Sequence, residues 1–203
     1  THSRYSDGEN TLEEMVEQAL GQGLESIGFS DHAYAPYDLE CCIPKEDIPL
    51  YRGEIARLKE QYRGRISVFA GLEVDSLHLH DKEGWDYMIG SVHYVKGRKG
   101  YHTIDYTSRQ FQMAVEDLGS HRAVAEAYGQ ALIKLATEYR PHILGHLDII
   151  TLLARQGKVP LDTKASWYRE MWLEIVRSIA QSGCLVEVNT SALYRGQSPE
   201  PFP

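Results

Sequence analysis

Residues 68–75 read Val-Phe-Ala-Gly-Leu-Glu-Val-Asp: a short apolar run that ends abruptly in two carboxylates. Such a run, apolar without alternation, suits a strand buried on both faces, as in a parallel sheet. The same pattern recurs on either side. Ser26-Ile-Gly-Phe-Ser30 runs into Asp31-His32, and Met88-Ile-Gly-Ser-Val92 into His93. Ile143-Leu-Gly145 runs into His146-Leu-Asp148, and Leu185-Val-Glu-Val188 into Asn189-Thr-Ser191. Helical patterns separate these runs. Thr11-Leu-Glu-Glu14 is a capping box ahead of a stripe of Leu12, Met15, Val16, Ala19 and Leu20, with Gly21 and Gly23 beyond. Tyr51, Ile55, Leu58 and Tyr62 mark a second helix. Residues 120–139 read as one long helical face that Pro141 prevents from continuing. Tyr168, Trp172, Ile175 and Ile179 mark the last helix, closed by Gly183.

Strand alternating with helix predicts a parallel α/β architecture. Periodicity leaves open whether the sheet is doubly wound or closed into a barrel. No G-x-G-x-x-G follows a strand, no phosphate-binding P-loop occurs, and no G-x-S-x-G nucleophile elbow is present. The 203 residues fit one domain, 1–203, without linker, repeat or low-complexity tract. The net charge of −8 lacks the basic footprint of a duplex nucleic-acid binder but leaves room for a small phosphorylated substrate. No apolar run approaches the roughly 20 residues that cross a bilayer, and no leader pattern is visible. Cys41, Cys42 and Cys184 form no C-x-x-C pair and suggest no disulfide framework, which points to a reducing cytoplasm.

The polar residues at the strand ends carry the functional signal. In parallel α/β folds the C-terminal ends of strands converge on the active face. His32, Glu73, His93 and His146 all fall there. Imidazole nitrogens with carboxylate oxygens suit Zn²⁺, Mn²⁺ or Fe²⁺. A single histidine of this kind is more often a satisfied interior residue; several in register argue for a metal centre.

With these motifs in view, the chain resembles the PHP (polymerase and histidinol phosphatase) superfamily. Thr1-His-Ser-Arg-Tyr-Ser-Asp-Gly8 is similar to the tail of its H-x-H-S-x-x-S-D-G opening, and Gly28-Phe-Ser-Asp-His-Ala33 to its second motif. Gly71-Leu-Glu-Val-Asp75, Gly90-Ser-Val-His-Tyr94 and Gly145-His-Leu-Asp148 are similar to the next three. Gly90–His93 with Ile104-Asp105, and Asn189-Thr-Ser191 with Arg195-Gly196, narrow the likeness to the histidinol-phosphate phosphatases. The resemblance implies a distorted (β/α)₇ TIM-like barrel with two or three divalent ions at the C-terminal rim. It implies His2, Asp7, His32, Glu73, His93 and His146 as metal ligands, Glu73 bridging two ions, and Glu73 and His93 as catalytic residues. The family's first histidine and its final D-x-H motif, with the first and last strands, have no counterpart in the sequence, and the expectation is a longer protein.

The implied reaction is hydrolysis of L-histidinol phosphate to L-histidinol and phosphate, a step of histidine biosynthesis, by attack of a metal-bridging hydroxide. A metal lowers the pKa of bound water towards neutrality, so no covalent nucleophile is needed. Arg195 is the first candidate to bind phosphate, because a guanidinium can do so bidentately; Arg155 and His102 are weaker candidates. Asp75 and Asp148 lie behind ligand positions and are expected to orient them. Another small phosphate ester as substrate, or an inactive metal-binding module, remain the alternatives.

Overall fold

The computed structural model describes residues 1–190, which form two compact units. Unit 1 comprises Thr1–Val74 and His80–Ile89. Unit 2 comprises Asp75–Leu79 and residues 90–190. No helix among the described residues is long and apolar enough to cross a membrane.

In unit 1, helix α1 (Leu12–Gly21) starts where the capping box predicts. The Thr11 hydroxyl accepts from the Glu14 N–H, and the Glu14 carboxylate accepts from the Thr11 N–H. Its apolar stripe buries Leu12, Val16 and Ala19. Strand β1 (Ser26–His32) pairs in parallel with β2 (Ser67–Asp75), two residues longer at its end than the apolar run suggests for β1 and three for β2. Helix α2 (Ile48–Gln61) connects them and buries Tyr51, Ile55 and Leu58. Strand β3 (Tyr87–Ser91) begins here. The Tyr87 hydroxyl donates to the Phe29 carbonyl at 2.8 Å, laying its ring over Gly28 and Gly71. A Cβ at Gly71 would stand 2.6 Å from that ring. Gly71→Ala is therefore expected to lower the stability of the protein by about 1–3 kcal/mol, the usual cost of overpacking. Urea unfolding measures this, and most of the loss should vanish in a Tyr87→Ser background; an undiminished loss there would point to a cause other than the ring.

In unit 2, the end of β3 lies beside β6 (Ile143–Leu144), with the Gly145 N–H donating to the Gly90 carbonyl. Strand β6 pairs in parallel with β7 (Leu185–Val186), shorter than the run 185–189 predicts. Strands β4 (Tyr94–Lys96) and β5 (Tyr101–Thr103) form an antiparallel hairpin directly after His93. Helix α3 (Ser108–Leu118), capped by Thr107 and closed by Gly119 with φ 101°, is not among the helices read from the sequence. Helix α4 (His121–Lys134) replaces the first part of the long predicted helix. Its continuation, Leu135–Tyr139, widens into a π-turn, where the Arg140 N–H reaches the Leu135 carbonyl and Arg140 turns left-handed with φ 54° ahead of Pro141. A short helix, α5 (Leu152–Arg155), precedes α6 (Ser166–Ser182). The core of unit 2 gathers Phe111, Tyr128, Leu132, Leu144, Ile150 and Ile175, each fully buried. The three cysteines carry free thiols.

Candidate metal centre

Parallel pairing assembles the site of unit 1. The register sets His32 opposite Glu73, so both side chains leave neighbouring strand ends together. His32 Nδ1 lies 3.8 Å from Glu73 Oε2. The N-terminal loop brings His2 to the same carboxylate, its Nε2 2.9 Å from Glu73 Oε2. His2 Nδ1 lies 2.8 Å from Asp7 Oδ1, and His32 Nε2 lies 3.9 Å from Asp7 Oδ2. The two imidazoles meet edge to face, 4.3 Å between centroids.

That loop is held from below by Asp31. Its Oδ1 accepts from the Ser3 N–H at 2.6 Å, the Ser3 hydroxyl at 2.9 Å and the Ser6 hydroxyl at 2.7 Å. Asp31 is fully buried, and its Oδ2 has no hydrogen-bond partner among the described residues. Gly8 closes the loop: its N–H donates to the Ser3 carbonyl, and a Cβ there would stand 2.4 Å from the His2 carbonyl oxygen. Only glycine permits that approach.

Unit 2 brings together a second pair. His93 Nε2 and His146 Nε2 lie 3.1 Å apart, with rings nearly perpendicular. Asp75 Oδ2 accepts from the His93 N–H at 2.9 Å, and Asp75 Oδ1 accepts from the Leu77 N–H. The Glu187 carboxylate accepts from the His146 N–H at 2.8 Å. Sequence reasoning names Asp75 as an orienting group but passes over Asp31 and Glu187, which accept from the main-chain N–H groups of Ser3 and His146.

The donor atoms fit a divalent ion. Ligating atoms of His2, His32 and Glu73 all lie within 4.8 Å of one another. Donors at about 2.0–2.2 Å from one zinc stand a little over 3 Å apart, so only small adjustments are needed. Two imidazole nitrogens at 3.1 Å match the same spacing.

The charges are mutually tuned. Burial opposes a proton on His2, but hydrogen bonds and charge from Asp7 and Glu73 outweigh it and raise its pKa to about 10. The hydrogen bond from His2, working against burial, lowers the Asp7 pKa to about 2. The raised His2 pKa contributes stability that is complete below its unfolded value of 6.5 and is lost as pH rises through about 10. The lowered Asp7 pKa contributes stability that is complete above 3.8 and is lost as pH falls through about 2. These are two views of one interaction. Metal-free protein should therefore lose thermal stability between pH 6.5 and 10, and the loss should be much smaller in Asp7→Asn; equal slopes in the two proteins would rule out this pair as the cause.

The other expected substrate residues lie in pairs. Arg155 Nη2 contacts Asp148 Oδ2 at 2.5 Å, which places Asp148 against Arg155 and Thr151. His102 Nε2 contacts the buried Asp117 carboxylate at 2.8 Å, an acceptor that also takes the Lys99 N–H. Ser191, Arg195 and Gly196 lie outside the described residues.

The PHP domain family profile matches residues 1–191, and the chain belongs to that family. It is 29% identical to the histidinol-phosphatase of Bacillus subtilis, covering 92% of this chain and 76% of that protein. It is 28% identical to the histidinol-phosphatase of Lactococcus lactis, covering 93% of this chain and 69% of that protein. Its fold matches the crystal structure of a Lactococcus lactis histidinol phosphate phosphatase complexed with zinc, L-histidinol and phosphate, with a TM-score of 0.66 and 23% identity, covering 97% of this chain and 73% of that one.

Proposed function

We propose that the chain is a metal-dependent phosphomonoesterase that hydrolyses L-histidinol phosphate to L-histidinol and phosphate. The observation that carries this reading is the convergence of His2, His32 and Glu73 at paired strand ends. The family match and the names of the relatives point to the same chemistry. We read the parallel sheet as part of a distorted (β/α)₇ barrel, whose strand ends gather the ligands.

In this reading His2, Asp7, His32 and Glu73 would hold one ion in unit 1, and His93 and His146 another in unit 2. Divalent ions, zinc among them, supply an acidified water and offset the charge on the phosphoryl oxygens. The protein's own residues supply position. Asp31 fastens the loop carrying His2 and Asp7. Asp75 fixes the backbone of His93, and Glu187 that of His146. Arg195 is the residue we assign to the phosphate.

The test is phosphate release from L-histidinol phosphate by metal-loaded protein beside a chelated control. Turnover that requires metal is the expected result. Turnover of other small phosphate esters with none of this one would replace the substrate. No metal-dependent turnover of any ester would favour a metal-binding module without activity.

A further inference from the structure

Helix α3 carries a carboxylate at its unfavourable end. Asp117 stands in the last turn, where the negative end of the helix dipole disfavours a negative charge, and the residue is only 3% exposed. A buried charge in such a place costs free energy unless donors hold it. The tip of the β4–β5 hairpin supplies them. Asp117 Oδ2 accepts from the Lys99 N–H at 2.8 Å and lies 2.8 Å from His102 Nε2. A carboxylate only accepts, so that imidazole nitrogen carries the proton. The Arg98 guanidinium donates to the Asp117 carbonyl at 3.3 Å. Gly97 completes the cradle, because a Cβ there would overlap Asp117 Oδ2.

The hairpin needs an anchor of this kind. Its strands pair over three positions, Tyr94–Thr103, Val95–His102 and Lys96–Tyr101, and a two-stranded ribbon is marginal by itself. Burial of Val95 and Ile104 fastens the ribbon to the core, and Asp117 fastens its tip. Its base adjoins a candidate ligand. His93 immediately precedes β4, and its carbonyl accepts from the Ile104 N–H at 3.1 Å as the chain returns. The N–H of His93 is held by Asp75 at 2.9 Å. A swing of the hairpin therefore turns the His93 peptide and carries its Nε2 away from His146 Nε2, 3.1 Å distant. A histidine ligand depends on the groups that fix its orientation.

We propose that Asp117 and His102 form a latch that positions His93 for its metal ion, so that His102 is a positioning residue and not a contact to substrate. The proposal rests on the place given to His93 under the phosphatase reading, and on no feature of the substrate. Two residues from α3 and β5, neither of them a metal ligand, then set the affinity of the ion in unit 2.

Zinc titration of the full chain against a chromophoric chelator tests the latch without substrate. The ion concerned is the one whose binding His93→Ala removes. His102→Leu deletes the donor, and Gly97→Ala drives the carboxylate out of its cradle. Each should weaken that ion 10- to 100-fold, the usual effect of losing a group that orients a ligand. His102→Gln keeps an N–H for Asp117 and should lose at most threefold. The zinc binding that remains in His93→Ala should be the same with and without His102→Leu. At saturating zinc, the KM for L-histidinol phosphate should stay within twofold of wild type in His102→Leu and in Gly97→Ala. Unchanged zinc affinity in both variants, even with a lower unfolding midpoint, overturns the latch and leaves a pair that only stabilises the fold. A KM that rises at saturating zinc in His102→Leu but not in Gly97→Ala overturns it in favour of a substrate contact. A wild type that binds zinc through His93 yet releases no phosphate from L-histidinol phosphate overturns the reaction and leaves the latch standing.

Discussion

Glu73→Gln should lower turnover of L-histidinol phosphate by about a thousandfold, beyond the 10- to 100-fold typical of residues that merely orient metal ligands. Glutamine keeps the volume of the side chain and removes its charge. The lost charge is the one to which His2 Nε2 points at 2.9 Å and which His32 faces at 3.8 Å. The variant should fold, because Glu73 contributes its backbone to β2 regardless of side chain. Metal content measured by mass spectrometry should fall together with activity. A variant that retained full activity and metal would remove Glu73 from the centre.

Chelation is the second large effect. A ligand that binds only the folded protein adds about 2.7 kcal/mol when present at a hundred times its dissociation constant. For a chain of this length that corresponds to roughly 5–10 °C in the unfolding midpoint. Zinc-loaded protein should therefore unfold at a temperature higher by that amount than chelated protein, and added zinc should restore the difference. The same titration on Glu73→Gln should give a much smaller shift. An unchanged midpoint in the wild type would mean that the donors bind no ion in this range.

Much of this was legible from the chain alone, and the reasons are local. The Thr11 capping box and the stripe behind it announce α1, because a capping box is read from side chains three residues apart. His32, Glu73, His93 and His146 stand out because each follows an apolar run at a strand end. Helix α3 was equally encoded: Phe111, Ala114, Val115 and Leu118 keep the helical period between Thr107 and Gly119. The β4–β5 hairpin could not be seen, since strands of three residues are too short to show alternation. Asp31 and Glu187 were hidden for another reason. They act on backbone N–H groups of residues distant in sequence, and nothing in a side chain reveals which main-chain donor it will meet.

The ladder between β1 and β2 extends one step past the proposed ligands. Beyond the His32–Glu73 pair, the Ala33 N–H donates to the Glu73 carbonyl at 2.8 Å. That amide proton can exchange with solvent deuterium only when the strand ends part, and parting them separates His32 from Glu73. An ion held by the two side chains, as proposed, would keep the ends shut. The exchange rate of a single main-chain proton, one that touches no metal, thus becomes a spectroscopic meter of occupancy, readable without substrate and without turnover.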